Sequence, residues 1–169
     1  MGLKWEKLDL DKKKVRIDTT IGYTPDRGVY ENVTKTRDVR QIAIPAETVA
    51  LLREYRRSYL ELKLANGDRW NDTGYVFVRD DGRPMSPDSI GQWLARFSKR
   101  HGLPHINPHA FRHTVATVLI NSGTDIVSVS KRLGHARTST TTDIYAHVIE
   151  QADEKATETL ANAILRKHA

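Results

Sequence analysis

Hydrophobic and polar residues alternate in the first third of the chain, and this period of two is typical of a half-buried β-strand. The apolar face of the first expected strand consists of Val15, Ile17, Thr19 and Ile21. The segment from Gly22 to Gly28 has the composition of a turn. Two more strands are expected over residues 29–33 and 40–44, with residues 35–38 at a hairpin tip. Pro45 ends this small sheet.

From residue 46 onward the apolar positions recur every three to four residues, which indicates amphipathic helices. The first covers residues 46–64, and an apolar run at 75–78 is compatible with one more strand. The second helix starts at Ser86-Pro87, a suitable N-cap with proline at the first helical position, and stops at Gly102. Four later helices are expected. The first ends at Asn121-Ser122-Gly123 and the second at Gly134. The third holds Tyr145 near its end, and the last covers Glu150 to Lys167.

The positions assigned to the buried helix faces are Leu51, Tyr55, Tyr59, Leu62, Ile90, Trp93, Leu94, Phe97, Phe111, Val115, Val118, Leu119, Ile126, Val129 and Leu133. The last helix has a separate apolar stripe of Ala156, Leu160, Ala163 and Ile164. The predicted fold class is therefore α+β and mostly helical. A small antiparallel sheet near the amino terminus precedes a helical bundle.

Length and composition narrow the classes of function. A chain of 169 residues is most simply one domain with its own core, and its net charge of +6 favours a polyanionic partner. The absence of cysteine excludes disulfides and thiolate metal sites and suits a reducing cytoplasm, the expected location. No apolar run approaches the roughly 20 residues that span a bilayer.

Histidine, arginine and tyrosine, three residue types that suit phosphate chemistry, lie close together in the carboxy-terminal part of the sequence. His109 and Arg112 are three residues apart, so one helical turn directs both toward the same place. An arginine fork matches two phosphate oxygens, and a histidine donates a hydrogen bond or moves a proton. The alternative is a capping histidine beside a surface arginine. Tyr145 is either a packed aromatic residue or a nucleophile assisted by a proton acceptor and positive charge.

Metal chemistry is the competing interpretation. His109 and His113 have the four-residue spacing of helical zinc ligands, and His135 is a conceivable third ligand. Position 110 is alanine rather than the usual glutamate of such sites, and cysteine ligands are absent. A hydrolase triad is disfavoured because the sequence contains no Gly-x-Ser-x-Gly elbow.

Four blocks of the sequence form a recognisable series. They are Leu3-Lys4-Trp5-Glu6-Lys7-Leu8-Asp9, Thr34-Lys35-Thr36 with Arg40 and Ile44-Pro45, His109-Ala110-Phe111-Arg112-His113-Thr114, and Leu133-Gly134-His135 with Tyr145 ten residues later. In sequence, order and spacing they resemble the tyrosine recombinases, the phage-integrase family of DNA breaking and rejoining enzymes, and the match spans almost the whole chain. Phe111 stands where the family has leucine.

The resemblance implies a role for each matching residue. Tyr145 would attack the scissile phosphate of double-stranded DNA and form a 3′-phosphotyrosyl link. Arg112 and His135 would bind the phosphate oxygens, His109 would take part in proton transfer at the nucleophile, and Lys35 would protonate the leaving 5′ oxygen. No metal, ATP or other cofactor is required. The implied function is site-specific recombination by a phage or mobile-element integrase.

One departure from the family's pattern concerns its other catalytic arginine. That arginine belongs to an Arg-x-x-Glu block just before the Leu-x-Trp segment, so here it would lie upstream of Met1. We therefore expect residues 1–169 to be a catalytic domain without its first helices and without the upstream DNA-clamping domain, and to be inactive alone. A non-catalytic DNA-binding or assembly remnant is the alternative. The expected partners are double-stranded DNA sites and other protomers of a DNA-bound tetramer, with the helix from Glu150 to Lys167 as the candidate contact between protomers.

Overall fold

The protein is described by a computed structural model that covers residues 2–33 and 39–165. Short antiparallel strands near the amino terminus precede a series of helices, so the predicted fold class is confirmed. The chain divides into two compact units, Met1–Trp93 and Leu94–Ala169, called here the amino-terminal and carboxy-terminal units. No helix within the described ranges is long and apolar enough to cross a membrane.

The amino-terminal unit contains a three-stranded sheet and a separate hairpin. The sheet has the order β1 (Leu8–Asp9), β2 (Lys14–Ile17) and β5 (Arg40–Ala43), and all its pairs are antiparallel. Val15 at its centre faces Leu8 on one side and Ile42 on the other. The hairpin consists of β3 (Thr19–Thr24) and β4 (Gly28–Val33). The expected tip at residues 35–38, including Lys35, lies outside the described residues.

The predicted first strand is in fact two strands, because the chain breaks at Asp18. The Asp18 carboxylate accepts hydrogen bonds from the Arg16 Nε at 2.9 Å and the Thr19 hydroxyl at 3.0 Å, and it pairs with Lys7. The turn after it is also shorter than expected. Gly22 lies inside β3, where a Cβ atom would approach the Tyr30 ring to 2.7 Å, so this glycine serves close packing rather than a turn.

Helix α1 (Ala46–Asn66) confirms the helix predicted after Pro45, but its buried face differs from the expected one. Val49 and Tyr59 are buried, whereas Leu51 is 65% exposed. Residues 49 and 51 project from nearly opposite sides of a helix, so a neighbour that covers Val49 leaves Leu51 in solvent. The assignment of Leu51 to the core was therefore wrong.

The apolar run at residues 75–78 forms isolated β-bridges rather than a strand. Lys4 pairs with Tyr75, and Val78 pairs with Pro84. Tyr59, Tyr75 and Val78 form a buried cluster with Trp5, Ile21 and Trp70 packed around it, and we call this set the aromatic cluster. The run is thus a core segment of the amino-terminal unit.

Helix α2 (Ser89–Arg100) begins three residues after the Ser86 N-cap that the sequence suggested, and it ends before Gly102 as expected. Pro87 and Asp88 form a turn instead, and the Gln92 amide donates to the Asp88 carbonyl. Only Leu94 of the four predicted core positions on this helix is buried. The other three, Ile90, Trp93 and Phe97, are exposed.

Three helices enclose the core of the carboxy-terminal unit: α3 (Pro108–Asn121), α4 (Ile126–Leu133) and α5 (Thr138–Leu165). The buried residues of this core are Ala116, Ile120, Val129, Leu133, Tyr145 and Val148. The predicted ends at Gly123 and Gly134 are confirmed, and both glycines have positive φ. Helix α4 buries Val129 and Leu133 as expected, whereas the third predicted position, Ile126, is half-buried.

The predicted core face of α3 was largely wrong. Phe111 is 53% exposed, and Val115 and Val118 are also exposed, whereas Ala116 and Ile120 are buried. Apolar residues occupy both sides of this helix, so their spacing does not identify the side that meets α4 and α5.

The two helices expected around Tyr145 and from Glu150 are one helix with a kink. Tyr145 has non-helical backbone angles, φ −113° and ψ 19°, inside α5. The expected end at Lys167 lies outside the described residues. Leu160 and Ile164, two members of the predicted apolar stripe, are exposed.

Candidate active site

Tyr145 lies at the kink of α5 with its ring inside the core of the carboxy-terminal unit. The residue is 2% exposed. Ala116 and Ile120 of α3 and Val129 and Leu133 of α4 belong to the same cluster. Because three helices surround it, the position of the ring is fixed by tertiary packing rather than by local sequence.

The hydroxyl group of Tyr145 has a hydrogen-bond partner at the edge of this core. Its oxygen lies 3.0 Å from Nδ1 of His113, and the two ring centroids are 5.6 Å apart. Burial raises the pKa of Tyr145 above its ordinary value, and the positive charge of Arg112 opposes this shift. The phenol is therefore protonated at neutral pH, with a histidine nitrogen placed to share its proton.

Arg112 joins α3 to the carboxyl end of α4. Its guanidinium donates a hydrogen bond to the Leu133 carbonyl oxygen at 2.7 Å, and its side chain is half-buried. A guanidinium has five N–H donors in a rigid plane. One donor fixes the plane here, which leaves a fork whose geometry suits two oxygens of a phosphate.

His135 follows the left-handed residue that ends α4. Gly134 has φ 73° and ψ 40°, and the amide groups of Gly134 and His135 donate to the Ser130 carbonyl. This cap sets the chain direction at His135. Nδ1 of His135 lies 2.8 Å from the Thr141 hydroxyl oxygen, and Thr141 is fully buried in the first turns of α5. A buried hydroxyl partner orients the imidazole ring.

His109 lies in the first turn of α3, and its side chain is exposed. The helix starts there because Asn107 accepts the Ala110 amide at 3.0 Å and Pro108 occupies the first position. His109 precedes Arg112 by three residues and His113 by four, so all three lie on adjacent turns of one helix. No hydrogen bond of the His109 ring to another described residue is present.

The structure thus gathers four chemically active side chains in the carboxy-terminal unit. Tyr145 contacts His113 and lies within the electrostatic influence of Arg112. Arg112 is hydrogen-bonded to the last residue of α4, and His135 follows that residue by two positions. The expectation for Lys35 concerns a residue outside the described ranges. From the sequence, His113 was interpreted individually only as a zinc ligand. Its hydrogen-bond partner, Tyr145, is 32 residues away, and no local pattern in the sequence indicates this pairing.

The zinc alternative finds no geometric support in the described part of the chain. Within residues 2–33 and 39–165, no group of three or more His, Asp and Glu side chains is arranged to hold a metal ion. His113 and His135 instead contact the hydroxyl groups of Tyr145 and Thr141.

Comparison with known proteins identifies the family of this chain. Residues 1–152 match the family model described as the phage integrase family. A XerC-like tyrosine recombinase of Caldanaerobacter subterraneus subsp. tengcongensis is 34% identical, over 95% of this chain and 44% of the relative. The ICEBs1 integrase of Bacillus subtilis is 31% identical, over 88% and 40% of the two chains. The chain thus spans less than half the length of these relatives.

A solved structure with the same fold is that of the Tn1549 transposon integrase in complex with transposon right end DNA. It is 25% identical, with a TM-score of 0.74, over 95% of this chain and 53% of that one.

Proposed function

The chain belongs to the phage integrase family, and from this membership and the geometry of the site we propose that it breaks and rejoins DNA at specific sites. Tyr145 is the nucleophile and forms a 3′-phosphotyrosyl intermediate. The observation that carries the proposal is the position of its hydroxyl group, 3.0 Å from a histidine nitrogen and under the positive charge of Arg112.

Arg112 and His135 neutralise the phosphate in this mechanism. Arg112 is anchored through the Leu133 carbonyl, so its fork is positioned before DNA arrives and little reorganisation is needed. The Thr141 hydroxyl orients His135 in the same way. Phosphoryl transfer depends on positioning and charge stabilisation more than on covalent assistance. No metal ion or nucleotide takes part in the scheme.

His109 and Lys35 are assigned to proton transfer. His109, one helical turn before His113, takes part on the side of the nucleophile. Lys35 protonates the 5′ oxygen as it leaves, so that the products are a phosphotyrosyl strand and a free 5′-hydroxyl. The covalent link conserves the energy of the phosphodiester bond, and the reverse attack by a 5′-hydroxyl rejoins DNA without ATP.

We propose that residues 1–169 alone are inactive or badly impaired. The family's other catalytic arginine belongs before Leu3, in a segment that would accompany the DNA-clamping domain. A phosphate-binding arginine contributes on the order of 10³- to 10⁵-fold to phosphoryl transfer. We propose that these residues act as a catalytic domain within a longer protein, since the chain spans less than half the length of the relatives it matches.

The partners of that protein are double-stranded recombination sites and other protomers of a DNA-bound tetramer. The net charge of +6 favours the polyanion. A groove of about 910 Å³ between the end of α3 and the last turns of α5 is a candidate protomer contact. It is lined in part by Ile120, Ala152, Ala156, Leu160 and Ala163. We further propose a cytoplasmic location, where mobile-element DNA is accessible.

The decisive experiment is a covalent-adduct assay with nicked DNA from the junctions of the element that carries the gene. The enzyme is a version with an Arg-x-x-Glu segment before Leu3, taken from the source gene or grafted from a relative; we call it the extended protein. We expect a protein–DNA band that resists denaturation, is absent with Tyr145→Phe and is weak or absent with the 169-residue chain. Salt-sensitive DNA binding without an adduct from either length would instead identify a non-catalytic remnant.

A further inference from the structure

His113 contacts the atom that attacks in the proposed reaction. Its Nδ1 lies 3.0 Å from the Tyr145 hydroxyl oxygen, at an angle of 58° between the two rings. Helix α3 carries His113 directly after Arg112, and α5 carries Tyr145 at its kink. The two residues therefore meet only because the helices pack together.

We propose that His113 is a catalytic residue that accepts the phenolic proton of Tyr145 as the phenol attacks the scissile phosphate. The inference rests on the proposed function and names the group that performs one step of it. In the accepting tautomer Nδ1 has the lone pair and Nε2 has the proton. The resemblance assigns His109, one turn earlier on the same helix, to proton transfer at the nucleophile, but the Tyr145 hydroxyl contacts His113.

In this step one bond to phosphorus forms and another breaks. An oxygen lone pair of Tyr145 forms the bond to phosphorus while the phenolic proton moves to Nδ1 of His113. The bond from phosphorus to the 5′ oxygen breaks, and its electron pair leaves with that oxygen, which takes a proton from Lys35. When a 5′-hydroxyl attacks the phosphotyrosyl bond in return, imidazolium His113 gives the proton back to the departing phenol.

The surroundings of Tyr145 explain why a direct acceptor is needed. Burial favours the neutral phenol and raises its pKa, so the proton does not leave for bulk water before attack. A base within hydrogen-bond distance removes the proton as the new bond forms. The His113 side chain is itself exposed, so it exchanges protons with solvent between the two steps.

A purely structural anchor would not need an imidazole. Tyr75, the comparable buried tyrosine of the amino-terminal unit, donates its hydroxyl proton to the Glu31 carboxylate at 2.6 Å. A carboxylate of low pKa is a suitable anchor and a poor base. An imidazole has an ordinary pKa of about 6.5 and is suited to both accepting and returning a proton near neutral pH.

The test combines substitution with chemical rescue in the extended protein. His113→Ala is compared with His105→Ala, which removes another exposed histidine from the loop before α3. Single-turnover adduct formation on nicked DNA is measured with and without added imidazole, and DNA affinity is measured separately. Circular dichroism verifies that each variant folds, and the exposure of His113 makes folding the expected result.

We expect His113→Ala to slow adduct formation by about 10²- to 10⁴-fold without a change in DNA affinity. Added imidazole should restore part of the rate to His113→Ala, and none to Tyr145→Phe, while His105→Ala behaves like the parent. Three results would overturn the inference: an undiminished rate, a faster rate, or a loss that imidazole does not restore in either His113→Ala or His113→Gly. If the parent forms no adduct, the proposed function itself fails, which is a separate result.

Discussion

Tyr75 and Tyr145 are both buried tyrosines, yet their surroundings give the two phenols different chemistry. Burial and the Glu31 carboxylate both raise the pKa of Tyr75, and Lys4 pairs with the same carboxylate oxygen, Oε1, at 2.5 Å. Burial also raises the pKa of Tyr145, but Arg112 acts in the opposite direction and the hydroxyl partner is an imidazole. Under the proposed mechanism, the charge around a buried phenol, rather than its burial, distinguishes the anchor Tyr75 from the nucleophile Tyr145.

The same contrast applies to the two cores. The aromatic cluster of the amino-terminal unit contains Trp5, Tyr59 and Trp70 around Tyr75, with Tyr59 and Trp70 in an edge-to-face contact at 5.3 Å. The core of the carboxy-terminal unit is aliphatic apart from Tyr145. An aromatic cluster holds one phenol among other rings, whereas an aliphatic core presents a single phenol toward the polar side chains of α3.

The largest expected effect comes from removing each hydroxyl in turn. Tyr145→Phe in the extended protein should abolish the covalent adduct, a loss on the order of 10⁶-fold in the cleavage rate. Tyr75→Phe should leave the adduct intact and lower the free energy of unfolding by about 1 kcal/mol, because Glu31 keeps its partner Lys4. Adduct assays and urea unfolding distinguish the two, and an adduct from Tyr145→Phe would refute the assignment of the nucleophile.

The second effect concerns the charge near Tyr145. Arg112→Lys keeps a positive charge but loses the planar fork and the bond to the Leu133 carbonyl, so we expect adduct formation to slow by about 10²- to 10³-fold. Arg96→Lys, an exposed site on α2, is the matched control and should have no effect. Equal rates for Arg112→Lys and the parent would mean that charge alone is sufficient.

A third, smaller effect distinguishes the positioning of His135 in the site from the overall stability of the fold. Gly134→Ala and Gly123→Ala each place a side chain on a residue with left-handed backbone angles. Each substitution should lower the free energy of unfolding by roughly 1–2 kcal/mol. Gly134 directly precedes His135, whereas Gly123 ends α3 away from the site residues. Only Gly134→Ala should also slow adduct formation. Equal rates in the two variants would show that the cap of α4 does not position His135.

The smallest effect is a pH dependence of the amino-terminal anchor. Lys4 and Tyr75 lower the pKa of Glu31, so the stabilisation is present above the ordinary carboxyl value and is lost as the pH falls through the lowered one. Glu31 is about half exposed, so we expect a loss of less than about 1 kcal/mol. Urea unfolding at pH 6 and pH 3 measures it. Glu31→Gln should show a smaller drop, and an identical drop would exclude this group as the cause.

Much of the helical framework could be predicted from local signals. Gly123 and Gly134 end their helices where the sequence indicated, because a left-handed cap is a property of one residue and its neighbours. The spacing of Val129 and Leu133 identified the buried face of α4, since the exposed side is polar apart from Val127. Arg112, His135 and Tyr145 could also be singled out, because their residue types and their order along the chain resemble the family's motifs.

Tertiary structure decided the rest. The sequence assigned Phe111 and Val115 to the core, but α3 has apolar residues on both sides, and packing against α4 and α5 selected Ala116 and Ile120. The contact of His113 with Tyr145 joins residues 32 positions apart, and no local pattern reports such a pair. Local sequence fixes backbone caps and residue chemistry over a few positions. Which side chains meet depends on burial that only the folded chain provides.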